Sequence, residues 1–395
     1  MTGRGALSAA DDEMLTLKLD GDDGQVVWSD YHGGSAGYDD VAWDVVVGPD
    51  GHPVVTGFVM ETDNNPYCLT RKLDSADGDP IWSRLVAGAY NDNQLKSSWL
   101  AVMDDGDVVM CQRAWGNSYD TLLERYAATD GATVWSTLYD GATHLSDEPK
   151  AMVRDAAGDL LVAGIQSVNY NYNYLVLKFD GSDGSLVWEA DGYDGPGGGW
   201  WDQAASVRES PTGDVVVTGL SDGSSTGTGW DITTVAYDPD LGTELWAHRW
   251  DGPAGTSDEG REVAISSSGE IFVTGYGYGM DTGKDLVTLR LEAPDSSPVP
   301  GHAPIATVLQ AWPNPFNPRV NLSFSLAAEA DVRLRIFDLR GREITVLKDE
   351  RLGRGDHQVA WDGRGSDGRA AASGVYLAIV ETDNGRIHRK IVLQK

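Results

Sequence analysis

Residues 15–57 read LTLKLDGDDGQVVWSDYHGGSAGYDDVAWDVVVGPDGHPVVTG. The stretch contains an alternating apolar run, an Asp/Gly turn, a Trp-bearing run, a Gly-rich loop and a hairpin ending in Val-Thr-Gly. The same order recurs over two-thirds of the chain. It is marked by tryptophans at 28, 82, 135, 188 and 246, which are separated by 54, 53, 53 and 58 residues. A period of this length predicts a repeat architecture.

Composition favours an all-β chain. The 395 residues include 48 glycines, 14 tryptophans and 15 tyrosines, with no long amphipathic segment of helical period. Each repeat divides into four predicted strands, which we call A, B, C and D in chain order. Strand A ends at an Asp/Gly turn, strand B resembles PVVTG, strand C alternates as in LTLKLD, and strand D carries the tryptophan. The Asp and Gly residues supply the turn chemistry that short hairpins need.

Chain order predicts six blades of a β-propeller in residues 1–292: a truncated first blade, four complete blades, and a sixth that lacks strand D after Leu291. The blades resemble the bacterial β-propeller repeat families (SBBP-like repeats), on the residues VVVTG at 215–219, IFVTG at 271–275 and AYDPDLGTELW at 236–246. The resemblance implies the fold and is nearly silent about activity. The five strand-D tryptophans are predicted to be core between blades.

The chain opens in mid-repeat. Thr2-Gly3 precedes Lys18 by the same 15 residues that separate Gly57 from Lys72. We therefore expect an upstream segment that supplies two strands and an export signal, because the opening residues lack the apolar core of a signal peptide. The sequence contains no run of 18 apolar residues, so it predicts no membrane-spanning segment.

Charge separates two bodies. Residues 1–302 hold 16 Lys+Arg against 50 Asp+Glu, whereas residues 303–395 hold 14 against 11. The acidic first body argues against nucleic-acid and anionic-membrane partners. It favours high solubility or affinity for cations. The only cysteines, Cys68 and Cys111, fall at non-equivalent repeat positions, so two buried thiols are favoured over a disulfide.

The last quarter has a different pattern. Residues 293–304 read as an exposed Pro/Ser/Gly linker, and residues 305–395 predict about seven short strands, which make a β-sandwich. The prolines at 313, 315 and 318 are expected to form an extended lead-in to a strand at 320–326.

This domain resembles the C-terminal sorting domain of the type IX secretion system, which is similar to the Ig-like domain of flagellar hook-assembly (FlgD-like) proteins. The resemblance rests on PNPFNP at 313–318, DLRGR at 338–342, WDG at 361–363, SGVY at 373–376 and the terminal residues 390–395. It implies Sec export, passage across the outer membrane by that export machinery, and release or surface attachment.

Candidate binding residues are the aromatic side chains of the long B–C and D–A loops, which lie on the opposite face from the short turns. Aromatic rings on variable loops of a rigid scaffold are typical of glycan or protein binding. The predicted site residues are Tyr170, Tyr172, Trp200, Trp201, Trp230 and Trp115. The alternative for the NYNYNY run at 169–174 is that its tyrosines pack against the neighbouring blade.

An Asp stands 11 residues before the turn glycine of strand A in four repeats, at 40, 147, 202 and 258, whereas the second repeat has Leu95. A ring of carboxylates would suit Ca²⁺. The favoured interpretation is that each Asp accepts backbone N–H groups of its own loop. We therefore predict no bound metal and no cofactor.

Catalytic signatures are weak: no His pair has zinc-site spacing, and Arg113 and Arg261 are the best candidates for an arginine cluster. The favoured function is a secreted or cell-surface propeller that binds an extracellular glycan or protein. A binding role is favoured over an enzymatic one, and the protein is expected to be monomeric. The alternatives are an extracellular polysaccharide-degrading hydrolase or lyase, and a structural surface-layer component.

Overall fold

The computed structural model describes most of the chain. It covers residues 2–5, 12–34, 39–61, 66–87, 98–115, 118–168, 171–190, 192–195, 201–223, 227–280, 283–291, 306–326, 329–338, 342–366, 368–382 and 385–395. In these ranges every regular element is a β-strand, and no helix is long and apolar enough to cross a membrane. The chain divides into two compact units, Met1–Ala293 and Pro294–Lys395.

The first unit consists of six antiparallel sheets, each built from strands that follow one another in the chain. We number these blades 1 to 6. The three-stranded blade 1 contains β1 (Thr2–Gly5), β2 (Glu13–Leu19) and β3 (Val26–His32). Blade 2 contains β4 (Val41–Val47), β5 (Pro53–Met60), β6 (Pro66–Leu73) and β7 (Pro80–Ala87). Blade 3 contains β8 (Ser98–Val102), β9 (Val108–Trp115), β10 (Tyr119–Tyr126) and β11 (Thr133–Tyr139).

The remaining blades repeat this order. Blade 4 contains β12 (Asp147–Arg154), β13 (Leu160–Val168), β14 (Asn171–Phe179) and β15 (Leu186–Glu189). Blade 5 contains β16 (Gln203–Glu209), β17 (Val215–Asp222), β18 (Trp230–Tyr237) and β19 (Glu244–Trp250). The three-stranded blade 6 contains β20 (Glu259–Ile265), β21 (Ile271–Gly279) and β22 (Gly283–Leu291). The predicted all-β fold and its six blades, with the first and last incomplete, are confirmed.

Strands B and C form the buried middle of each complete blade. β17 is buried throughout, and β18 is buried beyond its first residue. Strand D instead alternates between buried and exposed residues, as in β7. The apolar side chains of neighbouring blades form shared clusters, such as the one that joins Leu123 of blade 3 with Leu160 and Leu177 of blade 4. The core therefore lies between blades, which is why a single repeat cannot bury its own apolar surface.

The strand-D tryptophans connect successive blades by one recurring contact. Each indole Nε1 donates to a carbonyl oxygen in the C–D turn of the next blade, three residues before a glycine with positive φ. The donor and glycine pairs are Trp28 with Gly78, Trp82 with Gly131, Trp135 with Gly184, and Trp188 with Gly242. At Gly131 a Cβ atom would lie 2.7 Å from Cδ2 of Trp82. The prediction that these tryptophans are core between blades is confirmed for these four.

The two cysteines are free thiols, both buried, as the sequence predicts. Cys68 lies on β6 and Cys111 on β9, in adjacent blades. Burial raises the pKa of Cys68 to about 11, so the thiolate that reacts with oxidants is scarce at neutral pH. Both residues act as small apolar side chains of the core.

The second unit is a two-sheet sandwich of seven strands. One sheet has the order β23 (Ala306–Trp312), β24 (Val320–Leu326), β27 (Gly355–Trp361). The other has the order β26 (Glu343–Leu352), β25 (Ala330–Asp338), β28 (Gly374–Thr382), β29 (Gly385–Leu393). The prolines at 313, 315 and 318 lie between β23 and β24, so a strand that the sequence did not indicate precedes them. The predicted linker, residues 293–304, lies outside the described residues.

The Trp–Gly contact predicts a difference between two glycines with similar backbone conformations. Gly131→Ala places a methyl group against Trp82, whereas Gly24→Ala, at φ 72°, has nothing within 4 Å of the new atom. Both substitutions carry left-handed backbone strain of about 1–2 kcal/mol. Overpacking adds about 1–3 kcal/mol at Gly131 only. Thermal or urea unfolding of the two variants measures the difference, and equal losses of stability would show that the indole contact contributes nothing.

Candidate functional site

The predicted aromatic residues that the structure describes lie at the ends of the B–C hairpins. In blades 3 to 6 the pairing between strands B and C begins at Val108, Leu160, Val215 and Ile271, respectively. In each of these blades, the strand-B residue seven positions after that start is paired near the end of the hairpin. We call these cross-strand pairs, together with the equivalent pair of blade 2, the rim pairs. They are Met60–Pro66 in blade 2, Trp115–Tyr119 in blade 3, Ser167–Tyr172 in blade 4, Asp222–Trp230 in blade 5 and Tyr278–Lys284 in blade 6.

This placement corrects one part of the sequence analysis. Trp115, Tyr172 and Trp230 were assigned to B–C loops, but they lie within β9, β14 and β18. The reason is that hairpin hydrogen bonding continues through residues whose aromatic side chains favour strands. Tyr172 and Trp230 lie at the same register of strand C in blades 4 and 5, and Trp115 lies on strand B opposite the equivalent residue of blade 3, Tyr119. Tyr170 and Trp200 lie outside the described residues.

Two of the predicted residues contact each other. The rings of Tyr172 and Trp201 have centroids 4.6 Å apart, and the N–H of Asp202 donates to the carbonyl of Tyr172 at 2.7 Å. Trp201 is 38 % exposed, so the pair presents an aromatic surface while its backbone is fixed. Tyr174, two residues further on, is fully buried, and its hydroxyl donates to the carbonyl of Thr233 in blade 5. The alternative interpretation of the NYNYNY run, in which a tyrosine packs against the neighbouring blade, therefore holds for Tyr174.

The other two described residues have different neighbours. Trp115 is 54 % exposed and packs against Tyr119 at a centroid distance of 4.6 Å. The guanidinium of Arg113 lies 5.0 Å from the centre of the Tyr119 ring and pairs with Glu148. Arg113 is thus buried and engaged in an ion pair, which does not suit it to bind a substrate carboxylate.

Trp230 lines a cavity of about 330 Å³ between blades 5 and 6. The opposite wall includes Tyr276, Tyr278 and Lys284, and the Lys284 ammonium lies 3.8 Å from the centre of the Tyr276 ring. These three residues were not among those predicted from the sequence. The alternating YGYG at 276–279 was an available signal, because small residues between aromatic ones expose successive rings on one face of a strand.

Buried carboxylates hold the backbone at this end of the blades. Asp40, Asp147, Asp202 and Asp258 are at most 2 % exposed. Each accepts an N–H from a glycine of the preceding D–A loop: Gly34, Gly141, Gly195 and Gly252. Three of them also accept, through Oδ1, the N–H of the rim residue on strand B: Met60, Asp222 and Tyr278. The interpretation that these aspartates satisfy loop backbone is confirmed.

Comparison with known families and structures decides the family. The family model described as outer membrane protein assembly factor BamB matches residues 3–225 and, in a second alignment, residues 71–268. The chain belongs to this family of PQQ-like β-propeller repeats. A second model, the FlgD Ig-like domain, matches residues 316–386 within the sandwich. No curated protein matches the chain.

Solved structures with which this propeller protein aligns are distant. One is PorZ, a surface component of the type IX secretion system of Porphyromonas gingivalis, with 14 % identity, 97 % of this chain and 50 % of that chain covered, and a TM-score of 0.36. This chain thus spans half the length of PorZ. A protein of unknown function from Dyadobacter fermentans has 13 % identity, covers 81 % and 94 % of the two chains, and has a TM-score of 0.41. A putative exo-β-1,3-galactanase from Bifidobacterium bifidum has 11 % identity, 67 % and 92 % coverage, and a TM-score of 0.35.

The buried aspartates give this propeller a testable pH dependence. Burial raises the pKa of Asp40 from 3.8 to about 6, against the opposing effect of the Gly34 and Met60 N–H groups. Between these two values the folded state binds more protons than the unfolded state, so this group makes the free energy of unfolding fall as pH rises from about 4 to about 6.

We expect Asp40→Asn to remove that contribution, since an amide does not ionise. Urea unfolding of both proteins between pH 4 and pH 7 isolates it as the difference between the two curves, because the other acidic groups are common to both. Parallel curves would contradict the assignment.

Proposed function

We propose that this protein is a secreted or cell-surface β-propeller that binds an extracellular ligand, a glycan in the first instance, along its rim pairs. The observation that carries the proposal is the common register of Tyr119, Tyr172 and Trp230 on strand C of blades 3, 4 and 5, with Trp115 paired to Tyr119 across the hairpin. Repeats of one fold place equivalent residues at equivalent positions. Rings at one register therefore give a series of similar contact sites, which suits a ligand that is itself a repeating chain.

The chemistry of the side chains supports a glycan. Trp115 and Trp230 are 54 % and 37 % exposed, so each offers an apolar ring face while its backbone is fixed by strand pairing. A rigid ring loses little conformational entropy on binding, and its face suits the C–H groups of a sugar. Lys284, which stands in the rim pair of blade 6, supplies a hydrogen-bonding group for hydroxyls. A protein ligand would use the same rings, and its recognition is an outcome of the test below.

Replacing the rim rings should abolish binding without unfolding the protein. We expect Trp115→Ala and Trp230→Ala to lower affinity for the recognised polysaccharide at least about tenfold, in line with aromatic hot spots at interfaces. The control is Trp312→Ala, which removes a ring that is 74 % exposed on the other unit. The measurement is affinity electrophoresis or calorimetry on a polysaccharide panel, with the melting temperature recorded for every variant.

The result separates the hypotheses. Unchanged binding in both rim variants would overturn the rim assignment, and release of reducing sugar from a bound polysaccharide would move the function to a hydrolase. A panel without any binder would favour a protein ligand or a surface-layer role.

The C-terminal unit is proposed as the export and anchoring signal, acting with the type IX machinery. The support is its match to the FlgD Ig-like domain and its own closed core, which includes Phe316, Trp361 and Leu393. Phe316 pairs with Leu393, so the Pro-Asn-Pro-Phe segment contacts the last strand. This contact places the Pro-Asn-Pro-Phe segment beside the terminal strand, and both belong to the sequence pattern of the domain.

Export is tested with a reporter. A periplasm-directed fluorescent protein fused to residues 294–395 should appear outside the cell in a bacterium that has the type IX system. It should remain in the periplasm in a strain without that system. Retention of the fusion in both strains would overturn the sorting role and leave the rim proposal unaffected.

A further inference from the structure

Two clusters of three aspartates occupy equivalent places in the propeller. Each cluster combines a strand-C residue, a residue just after strand D, and the buried Asp at the start of the next blade. In each, one carboxylate oxygen per residue lies within 4.8 Å of the others. The first cluster is Asp120, Asp140 and Asp147, and the second is Asp231, Asp251 and Asp258. The spacings of 20 and 7 residues are the same in both.

The second cluster contains its own cation. Nε of Arg249 lies 2.5 Å from Oδ2 of Asp231, and the same guanidinium donates to the hydroxyl and the carbonyl oxygen of Ser221. Arg249 stands three residues after Trp246 on strand D. Three carboxylates that converge in a largely buried place repel one another, and a positive charge among them offsets that repulsion.

The first cluster has no guanidinium at that position. The residue three positions after Trp135 is Leu138, which is 59 % exposed. Described cationic groups beside it are engaged at its margin: His144 Nδ1 lies 2.9 Å from Oδ2 of Asp140 on the exposed side. Arg113 and Lys150 both pair with Glu148. The negative charge of the second cluster is therefore offset by a guanidinium of strand D, whereas the first cluster has no guanidinium at the equivalent position.

Each cluster also holds a buried carboxylate oxygen without a hydrogen-bond partner among the described residues: Oδ1 of Asp147 in the first and Oδ1 of Asp231 in the second. In Asp40, Asp202 and Asp258, Oδ1 accepts the N–H of the rim residue on strand B. In blade 4 that N–H belongs to Ser167, and it donates to the carbonyl of Ser146 instead. Oδ1 of the fully buried Asp147 consequently has no hydrogen-bond partner among the described residues. The amide of its cross-strand neighbour Gln166 donates to Glu189 at 2.8 Å and lies beside the Asp147 carboxylate, without meeting Oδ1 in hydrogen-bond geometry. A buried carboxylate oxygen without a donor is unfavourable unless a cation binds it.

We propose that Asp120, Asp140 and Asp147 bind a divalent cation, with Ca²⁺ the best match. Ca²⁺ takes six to eight oxygen ligands from carboxylates, carbonyls and water. Asp147 supplies the unpartnered Oδ1, Asp120 a carboxylate held by the Ser118 hydroxyl, and exposed Asp140 the entry side. This proposal replaces the sequence-based expectation of no bound metal, and it is independent of the rim ligand.

Calcium titration of the full chain at pH 7.5 tests the site. Calorimetry should give one Ca²⁺ per chain, and saturating Ca²⁺ should raise the melting temperature by at least about 3 °C, since a cation bound only by the native state stabilises it. Asp140→Asn should weaken binding at least about tenfold, because it removes one of three anionic ligands. The matched control is Asp251→Asn, the same change on an exposed Asp of the second cluster.

Two exchanges test the charge argument directly. Leu138→Arg puts into the first cluster the side chain that the second one has, and it should abolish the calcium response while leaving the chain folded. Arg249→Leu removes the internal cation from the second cluster and should raise the stoichiometry to two. The proposal is overturned if wild type shows no calorimetric site, or if Asp140→Asn and Asp251→Asn lower calcium affinity equally, which would indicate general attraction to an acidic surface.

Discussion

The contact on which the propeller depends is the indole of one blade against a glycine turn of the next. The tryptophan buries its ring on a backbone that has no Cβ atom, and its Nε1–H satisfies a turn carbonyl in the same step. The contact joins apolar burial, hydrogen bonding and a positive-φ turn in one place. Because it recurs from blade 1 to blade 5, each of blades 2 to 5 is held against the blade before it, and the contact fixes the spacing between them.

At the other end of the strands, away from the tryptophan–glycine contacts, buried aspartates fix the positions of the loops. Asp202 and Asp258 each connect a D–A loop to the rim residue of strand B through two backbone N–H groups. The long connections are thereby held against the hairpins whose ends carry the exposed rings. A binding surface built this way is preorganised by strand pairing and buried hydrogen bonds, which lowers the entropy lost when a ligand binds.

Variation among equivalent positions is where individual blades acquire chemistry. At the rim, blades 3, 4 and 5 carry aromatic rings, whereas blade 6 carries Tyr278 and Lys284. In the carboxylate clusters, Arg249 in one blade is replaced by Leu138 in another. Because the blades share one backbone arrangement, the effect of a single charged side chain can be inferred by comparing equivalent positions of two blades in the same chain.

The sequence by itself determined the repeat, the strands, the turn chemistry and the core role of the tryptophans, because these follow from local periodicity and residue type. It also indicated the backbone role of Asp40 and its equivalents, since one residue at a fixed offset in each repeat signals a structural task. Only the tertiary structure decided that Tyr174 is buried while Tyr172 packs on Trp201, that Tyr278 and Lys284 face Trp230, and that Asp120, Asp140 and Asp147 converge. Those relations join residues from different strands and different blades, and the distance between them depends on how sheets pack, which no local pattern encodes.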